Sequence, residues 1–99
     1  MARPELLSEG EISNYLEDFP LWVKEDKVIT RNYVASNFVA AIGLINSIAI
    51  YAEAMDHHPD ILLYGWNKLR ITLTTHDKDG LTELDFTLAK KIENLLMKS

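Results

Sequence analysis

Residues 60–75 read DILLYGWNKLRITLTT and contain the clearest strand pattern in the chain. From Leu69 onward, apolar and polar side chains alternate, which is typical of a strand with one buried face. Residues 60–66 are also rich in strand formers, and Asn67-Lys68 is the expected turn between the two strands. Because so short a connection joins antiparallel neighbours, this stretch predicts a hairpin. Gly65, inside its first strand, predicts a bulge or a close backbone approach.

A second strand pair is expected upstream, from about residue 21 to residue 34. Its strand-forming side chains are Trp22, Val23, Val28, Ile29, Tyr33 and Val34. The polar run from Lys24 to Lys27 separates the two strands and predicts a tight turn. Trp22 is expected in the core, because a large aromatic side chain in a strand is usually buried.

Capping signals predict one helix near each end of the chain. Ser8 and Glu11 have the S-x-x-E spacing of a capping box, and Pro20 disfavours continuation of this first helix. Thr82 and Asp85 have the same spacing in its acidic form and predict a last helix from about residue 83. Apolar residues at helical spacing follow both boxes. They are Ile12, Leu16 and Phe19 in the first helix and Leu84, Leu88, Ile92, Leu95 and Leu96 in the last.

The strongest helix pattern runs from about residue 37 to residue 56, with Ser36 as the candidate N-cap. The apolar positions of this segment cover much more than one helix face. A chain of 99 residues has little core with which to cover so broad a surface. Part of this helix is therefore expected to contact a second subunit.

Together these segments predict the element order αββαββα within one domain, residues 1–99. Strands joined by hairpins favour an antiparallel sheet, and amphipathic helices must bury their apolar faces against it. The predicted fold class is therefore α+β. It is a two-layer sandwich in which a four-stranded antiparallel sheet carries the helices on one face.

Composition excludes several classes of function. Apolar residues make up 47% and charged residues 25% of the chain, as in an ordinary soluble globular domain. The net charge of −5 repels nucleic acid and anionic lipid, so neither is an expected partner. The absence of cysteine excludes disulfides, thiol nucleophiles and cysteine–metal sites. Neither a membrane span nor an apolar signal core after Met1 is evident, so the expected location is the cytoplasm.

Three histidines are the residues best suited to chemistry. His57 and His58 stand in the run EAMDHHP, residues 53–59, where Pro59 is expected to end the long helix. Adjacent residues point about 100° apart inside a helix, but at a helix end the backbone turns and two imidazoles can converge. His76 follows the last strand. All three rings meet if that strand end lies near the helix end.

Four interpretations of these histidines compete. A histidine near a helix C-terminus interacts favourably with the helix dipole and needs no function. A nucleophilic triad lacks both a cysteine and a serine in a nucleophile elbow. A zinc site needs only three histidines, but the adjacent pair lacks the usual spacing of two ligands on one helix face. General acid–base catalysis fits best, because an imidazole titrates near pH ~6.5 and can accept or donate a proton.

The wider spacing resembles that of a known family. The run Glu53-x-x-x-His57-His58-Pro59 is followed by six residues to Trp66, nine more to His76 and eight more to Asp85. This pattern is similar to the signature of the pterin-4a-carbinolamine dehydratases, as are the length and element order of the chain. Two further segments are family-like, NKLRITLTTH at residues 67–76 and GLTELD at residues 80–85.

The resemblance implies a reaction. Family members take the 4a-hydroxytetrahydropterin released by aromatic amino acid hydroxylases and eliminate water to give quinonoid dihydropterin, which a reductase recycles. The expected partners are therefore a pterin substrate and, functionally, such a hydroxylase. No metal and no bound cofactor is expected, since the pterin is the substrate. Family members form dimers and tetramers, so a homodimer or homotetramer is expected.

Carried over residue by residue, the resemblance places His57, His58 and His76 around the 4a-hydroxyl of the pterin. The substrate-contacting segments become His57-His58-Pro59 and Thr75-His76-Asp77-Lys78. His57 and His58 are the expected working pair. In that pair a neutral imidazole accepts the ring-nitrogen proton, while a protonated one, or water that it holds, helps hydroxide to leave. His76 is expected to act as an orienting group or as a second proton carrier.

Other residues of the pattern have two interpretations each. Asp85 is the acidic residue of the family pattern and can polarise a histidine, but it is also the expected capping-box partner of Thr82. Glu53 can orient His57 across one helical turn or be a solvated helix residue. Trp66 can stack near the pocket, although an aromatic in a strand is more often core. Animal members have a cysteine at position 78, where this chain has Lys78. The lysine places a cation beside the proposed pocket.

Two other functions are alternatives to this enzyme. A non-catalytic binding or assembly module can use the same fold, since a fold does not determine a function. A small metal-binding protein can use the histidine cluster. A binding module need not keep its histidines, so the presence of all three together with Asp85 favours catalysis.

Overall fold

The computed structural model describes residues 4–98. Its helices are α1 (Glu9–Leu16), α2 (Phe38–Met55) and α3 (Glu83–Met97), and its strands are β1 (Trp22–Glu25), β2 (Val28–Val34), β3 (Asp60–Tyr64) and β4 (Lys68–Leu73). One turn of 3₁₀-helix, His76–Lys78, lies between β4 and α3. The predicted order αββαββα is confirmed. Residues 1–3 and 99 of the predicted domain lie outside the described residues. The prediction about a signal core concerns the start of the chain and therefore falls partly outside them as well.

The strands form one antiparallel sheet of four in the order β1-β2-β4-β3, as the α+β prediction requires. The central strands β2 and β4 pair with Ile29 opposite Leu73 and Arg31 opposite Ile71. Ile29, Ile71 and Leu73 are fully buried, as is Leu69. Because side chains alternate across a strand, these residues form one buried face, and the other face of the sheet meets solvent.

The helices cover the buried face of the sheet. The core residues of α2 are Ala41, Leu44, Ile48 and Ala52, and those of α3 include Phe86, Leu88, Ala89, Ile92 and Leu96. Both predicted capping boxes are present, Ser8 with Glu11 in α1 and Thr82 with Asp85 in α3. Hydrogen bonds from the backbone and side chain of Ser8 lower the pKa of Glu11. These local signals therefore place both helix starts correctly.

Helix α2 has one buried and one uncovered side. Opposite its core residues, Val39, Ile42 and Ile50 are 79%, 38% and 71% exposed. Among the helices of residues 4–98, α2 is the one whose length and apolar composition alone equal those of a membrane span. Its inner side, however, packs into the core of the domain. The helix is therefore a core element with an apolar outer face left uncovered in one chain.

Two predictions about element ends were wrong. The N-cap of α2 is Asn37 rather than Ser36, because Asn37 Oδ1 accepts the hydrogen bond of the Ala40 N–H at 2.8 Å. The break between the first two strands is shorter than the predicted run from Lys24 to Lys27, since Lys24 and Glu25 belong to β1. The turn between β1 and β2 is left with two residues, and the first of them has a φ of 54°.

The turn between β3 and β4 also differs from the prediction. Gly65 lies in that turn, with a φ of 53°, and not in a strand. Trp66 follows it with a φ of 59° and is 60% exposed, so it is not part of the core. Two successive residues in the left-handed region reverse the chain before β4 and point the indole outward. Trp22, by contrast, is buried as predicted.

Candidate active site

The three histidines line one cavity, where the end of α2 meets the chain that follows β4. Its volume is about 130 Å³. Its lining residues are Asp56, His57, His58, Thr74, His76 and Asp77. The fold thus gathers side chains from two distant parts of the sequence at one end of the sheet.

The end of α2 separates the two adjacent histidines. Asp56 has a left-handed backbone, with φ 50° and ψ 44°. Its N–H donates to the carbonyl of Glu53 at 3.2 Å, and the N–H of His57 donates to the carbonyl of Ala52 at 3.0 Å. This pair of bonds is a Schellman motif with aspartate at the position that glycine usually occupies. The reversal directs His57 inward, where it is 5% exposed, and leaves His58 at the surface.

Asp85 holds His57 from inside the protein. Nε2 of His57 lies 2.7 Å from Oδ1 of Asp85, and the two side chains are 5% and 0% exposed. Asp85 stands in the first turn of α3, so the contact joins the start of that helix to the end of α2. Because Nε2 faces Asp85, Nδ1 is the ring nitrogen that this carboxylate does not engage.

The second oxygen of Asp85 has its own partners. Oδ2 accepts hydrogen bonds from Thr75 Oγ1 at 2.8 Å and from the Thr82 N–H at 2.9 Å. The two threonine hydroxyls lie 2.8 Å apart, and both side chains are fully buried. Asp85 therefore caps α3 and holds His57 at the same time. Thr75, expected at the substrate, is instead directed at Asp85 and Thr82.

His58 has a different environment from His57. Its Nε2 lies 2.7 Å from Oε1 of Glu53, and the two side chains are 57% and 81% exposed. Glu53 thus contacts His58 and not His57, because the reversal after α2 brings position i+5 beside the glutamate. An exposed imidazole paired with a carboxylate stays in contact with water and can exchange protons with it.

His76 lies on a short loop that is anchored at both sides. Thr75 and Gly80 pair as an isolated antiparallel bridge around the 3₁₀ turn. Lys27, in the β1–β2 turn, donates to Oδ2 of Asp79 at 2.6 Å. That hydrogen bond, together with the negative charge of Asp79, raises the pKa of Lys27. These contacts hold the loop that carries His76 against a neighbouring turn of the sheet.

The cavity lining lacks some of the predicted substrate-contacting residues and includes two residues that were not predicted. Pro59, Thr75 and Lys78 do not line it, whereas Asp56 and Thr74 do. Lys78 directly follows the lining residue Asp77 in the chain and is not itself part of the wall. Each of the two residues missed from sequence directly precedes a segment that was predicted. Asp56 lies inside the run EAMDHHP and Thr74 inside NKLRITLTTH, but the sequence assigns no role to either position.

Two further observations bear on the choice of site. Within residues 4–98 no group of three or more histidine, aspartate or glutamate side chains is placed to hold a metal ion. A larger cavity of about 660 Å³ lies beside α1 and α3, with Phe19 and Phe86 in its wall. Its buried charges, Arg31 and Glu93, form an ion pair with each other. Acid–base groups converge instead in the histidine-lined cavity.

Fold and cavity together define a class of protein, a small α+β domain with a histidine site suited to acid–base chemistry. Residues 5–95 match the sequence profile of the family described as Pterin 4 alpha carbinolamine dehydratase. A protein of Chloroflexus aurantiacus, provisionally named a pterin-4-alpha-carbinolamine dehydratase, is 46% identical over 90 residues, which are 91% of this chain and 96% of that protein. The chain belongs to the pterin-4a-carbinolamine dehydratase family, as the resemblance implied.

Solved structures agree with this assignment. The crystal structure of a transcriptional coactivator/pterin dehydratase from Brucella melitensis superposes with a TM-score of 0.88 and 35% identity, over 93% of this chain and 99% of that one. A pterin dehydratase-like protein identified as a RuBisCO assembly factor in the alpha-carboxysome superposes with a TM-score of 0.62, over 76% of this chain and 86% of that one. Its 17% identity shows a shared fold alone.

Proposed function

We propose that the protein is a 4a-hydroxytetrahydropterin dehydratase, a hydro-lyase that produces quinonoid dihydropterin. Membership of the family supports the substrate class, and the cavity that gathers His57, His58 and His76 supports the chemistry. The observation that carries the proposal is the buried contact between Asp85 and His57 at that cavity. A carboxylate behind an imidazole sets the orientation that a general base needs.

The reaction needs one group that removes a proton and one that delivers a proton. The ring nitrogen beside carbon 4a loses its proton, and its electron pair forms the new C4a=N double bond. The C–O bond at carbon 4a breaks, and the departing oxygen takes up a proton to become water. Atoms and electrons balance without an oxidant or a reductant, so we propose no resident cofactor.

The surroundings of each histidine suggest its role. His57 acts as the base through Nδ1, since Nε2 faces Asp85. His58 acts as the acid, because its exposed ring can regain a proton from water. His76, in the same cavity, orients the substrate or carries the second proton. A positioned acid or base contributes about 10²–10⁴-fold to a rate.

The size of the cavity limits how much of the substrate it encloses. Small-molecule sites are commonly about 300–1,000 Å³ in volume, against about 130 Å³ here. One chain therefore surrounds the reacting edge of the pterin, and the remainder lies across the rim. Asp77 in the wall offers carboxylate oxygens to the N–H groups of the ring system. Pro59 and Lys78, beside the lining residues, are the proposed rim contacts.

An assay of dehydration tests the proposal. Synthetic 4a-hydroxytetrahydropterin is mixed with the protein, and the appearance of quinonoid dihydropterin is compared with the rate in buffer. We expect the wild type to accelerate the reaction and His58→Ala to lose about 10²–10⁴-fold. Asn94→Ala, at an exposed position of α3, is the matched control and should retain the wild-type rate. A wild-type rate equal to that of buffer removes the proposal.

The same proposal extends to the assembly, the partners and the location of the enzyme. The uncovered apolar face of α2 supports assembly into a homodimer or homotetramer. The substrate implies functional coupling to an aromatic amino acid hydroxylase, which would supply it. Neither nucleic acid nor a membrane is proposed as a partner, and the proposed location is the cytoplasm.

A non-catalytic assembly module is the second candidate. One observation favours it, namely that a protein described as a RuBisCO assembly factor has the same fold. A module of this kind would act through its surface and would be indifferent to the histidines. Replacement of His57, His58 and His76 together by alanine distinguishes the two, because it should abolish dehydration and leave binding of a protein client unchanged.

A further inference from the structure

We propose that Thr75 and Thr82 are positioning residues that hold Asp85 and thereby fix His57 in the tautomer with its proton on Nε2. Both threonines are fully buried, and neither lines the cavity. Their hydroxyls nevertheless join the carboxylate that holds His57. The effect on catalysis rests on the proposed function, whereas the effect on the tautomer does not.

The donor in each hydrogen bond of this cluster follows from the two groups at the ends of the chain of bonds, the Leu84 N–H and the Asp85 carboxylate. The N–H of Leu84 can only donate, and it donates to Thr82 Oγ1 at 3.2 Å. Thr75 Oγ1 donates its single proton to Oδ2 of Asp85 at 2.8 Å. The contact between the hydroxyls must therefore use the proton of Thr82, with Thr75 as the acceptor. The chain runs one way, from Leu84 to Asp85, and successive bonds strengthen one another.

This direction determines what Asp85 presents to His57. Oδ2 accepts from Thr75 and also from the Thr82 N–H at 2.9 Å, so two donors already occupy it. A carboxylate oxygen accepts hydrogen bonds and has none to donate. Oδ1 of that carboxylate faces His57, and Nε2 must donate to it. Nδ1 then carries the lone pair, which is the state in which the ring can accept a proton as a base.

The capping of α3 does not by itself account for Thr75. Thr82 and Asp85 form the complete capping box between them. Thr75 comes from the segment that follows β4 and adds a second donor, from outside the capping box. Two donors from different segments restrict rotation of the carboxylate and keep Oδ1 aimed at His57. A structural cap needs only one of them, so the second donor serves the histidine.

Nitrogen NMR of the imidazole rings tests the tautomer directly. In the ¹⁵N-labelled wild type at neutral pH, we expect His57 to show a protonated Nε2 and an unprotonated Nδ1. We expect Thr75→Val, which keeps the shape and removes the donor, to lose this single tautomer, and Thr75→Ser to restore it. A wild-type ring protonated on Nδ1 overturns the inference without any variant. An unaltered tautomer in Thr75→Val overturns the role of Thr75.

Kinetics tests the consequence for catalysis. Loss of the partner that orients a metal-bound histidine typically costs about 10–100-fold, and we expect a loss of similar size in kcat for Thr75→Val, with KM little changed. Thr75→Ser should recover most of kcat. The matched control is Thr72→Val, at a half-buried threonine of the preceding strand β4, which should retain wild-type kinetics. Equal losses in Thr75→Val and Thr75→Ser contradict positioning through the hydroxyl. If the wild type shows no dehydration, the proposed function fails while the NMR result still decides the tautomer.

Discussion

Asp85 and His57 lie 28 positions apart in sequence, yet Oδ1 of the aspartate and Nε2 of the histidine meet at 2.7 Å inside the protein. The carboxylate that caps α3 is therefore the one that holds the imidazole delivered by the end of α2. Stability and proposed catalysis share this side chain. Substitutions at and around it can be chosen to change one property and preserve the other.

Asp85→Asn should impair the proposed reaction much more than it impairs folding. The amide oxygen can still accept from Thr75 and Thr82, so the capping contacts survive. The amide nitrogen then faces His57 and donates to Nε2, which forces the ring proton onto Nδ1. We expect kcat to fall by at least about 10²-fold. Dehydration kinetics, measured alongside thermal unfolding, provides the comparison.

Asp85→Ala is the companion variant for stability. It leaves the hydroxyl of Thr75 and the ring of His57 without their buried acceptor, and unsatisfied buried groups cost about 1–3 kcal/mol each. We expect it to be clearly less stable than Asp85→Asn in denaturant unfolding. Full kcat in the asparagine variant would show that the contact with His57 has no catalytic part.

The left-handed residue at the end of α2 gives a prediction about stability. Asp56 has a φ of 50°, in the left-handed region that costs most L-residues about 1–2 kcal/mol, aspartate somewhat less, and that glycine adopts without a steric penalty. Asp56→Gly should therefore raise the free energy of unfolding by up to about 1 kcal/mol. Asp56→Ala, which cannot relieve the conformation, should not. Because Asp56 lines the cavity, a more stable glycine variant is also expected to be less active. Equal stability of the glycine and alanine variants would contradict this account of the helix end.

A part-buried ion pair outside the histidine cavity should affect stability without affecting catalysis. Arg31 and Glu93 are only 10% and 17% exposed, and Trp22 Nε1 donates to Glu93 Oε1 at 2.8 Å. Glu93→Ala removes the charge partner of Arg31 and leaves its hydrogen bond to the Asn32 carbonyl, a change that costs about 3–5 kcal/mol in fully buried pairs and less in this part-buried one. We expect a loss of stability and an unchanged kcat per folded molecule. A loss of kcat at a temperature where the variant is fully folded would indicate coupling between the two regions.

The capping box of α1 predicts a dependence of stability on pH. Hydrogen bonds from Ser8 lower the pKa of Glu11 below its ordinary value of 4.5, so the folded protein favours the ionised form. The resulting stabilisation is present above pH 4.5 and is lost as the pH falls through the lowered pKa of the folded state. We therefore expect the wild type to exceed Glu11→Gln in stability at pH 7, with the difference shrinking in acid. Unfolding of both proteins across that range measures it, and a difference independent of pH would contradict the assignment.

The uncovered face of α2 predicts the behaviour of the protein in solution. Ile50 is 71% exposed on that face, and burial against a second copy would remove it from water. We expect the wild type to have the mass of a dimer or tetramer by light scattering, and Ile50→Asp to shift it to a lower mass. Thr87→Asp, at an exposed position of α3, should leave the mass unchanged. A monomeric wild type would refute the proposed assembly.

Much of the fold could be predicted because its signals are local. The capping boxes at Ser8 and Thr82 and the alternation after Leu69 each depend on a few neighbouring residues. The turn around Trp66 was misjudged because its shape depends on two successive left-handed residues, and strand propensity carries no information about them. Propensity placed that tryptophan in a strand, and the actual turn exposes it.

The sequence predicted which residues form the site better than it predicted how their side chains are oriented. A histidine pair before Pro59 indicated where chemistry would lie, but the opposite orientations of the two rings follow from the reversal at Asp56. An aspartate in that conformation has no sequence signal comparable to a glycine. The cluster of Thr75 with Asp85 likewise needs the packing of β4 against α3, which spacing alone does not supply.

The measurement that most directly tests the central claim is the dehydration rate of 4a-hydroxytetrahydropterin with the wild type and with His57, His58 and His76 all replaced by alanine. We expect the wild type to exceed the buffer rate by at least about 10²-fold, the contribution of one positioned acid or base, and the folded triple variant not to exceed it. A triple variant as fast as the wild type would contradict catalysis by these imidazoles.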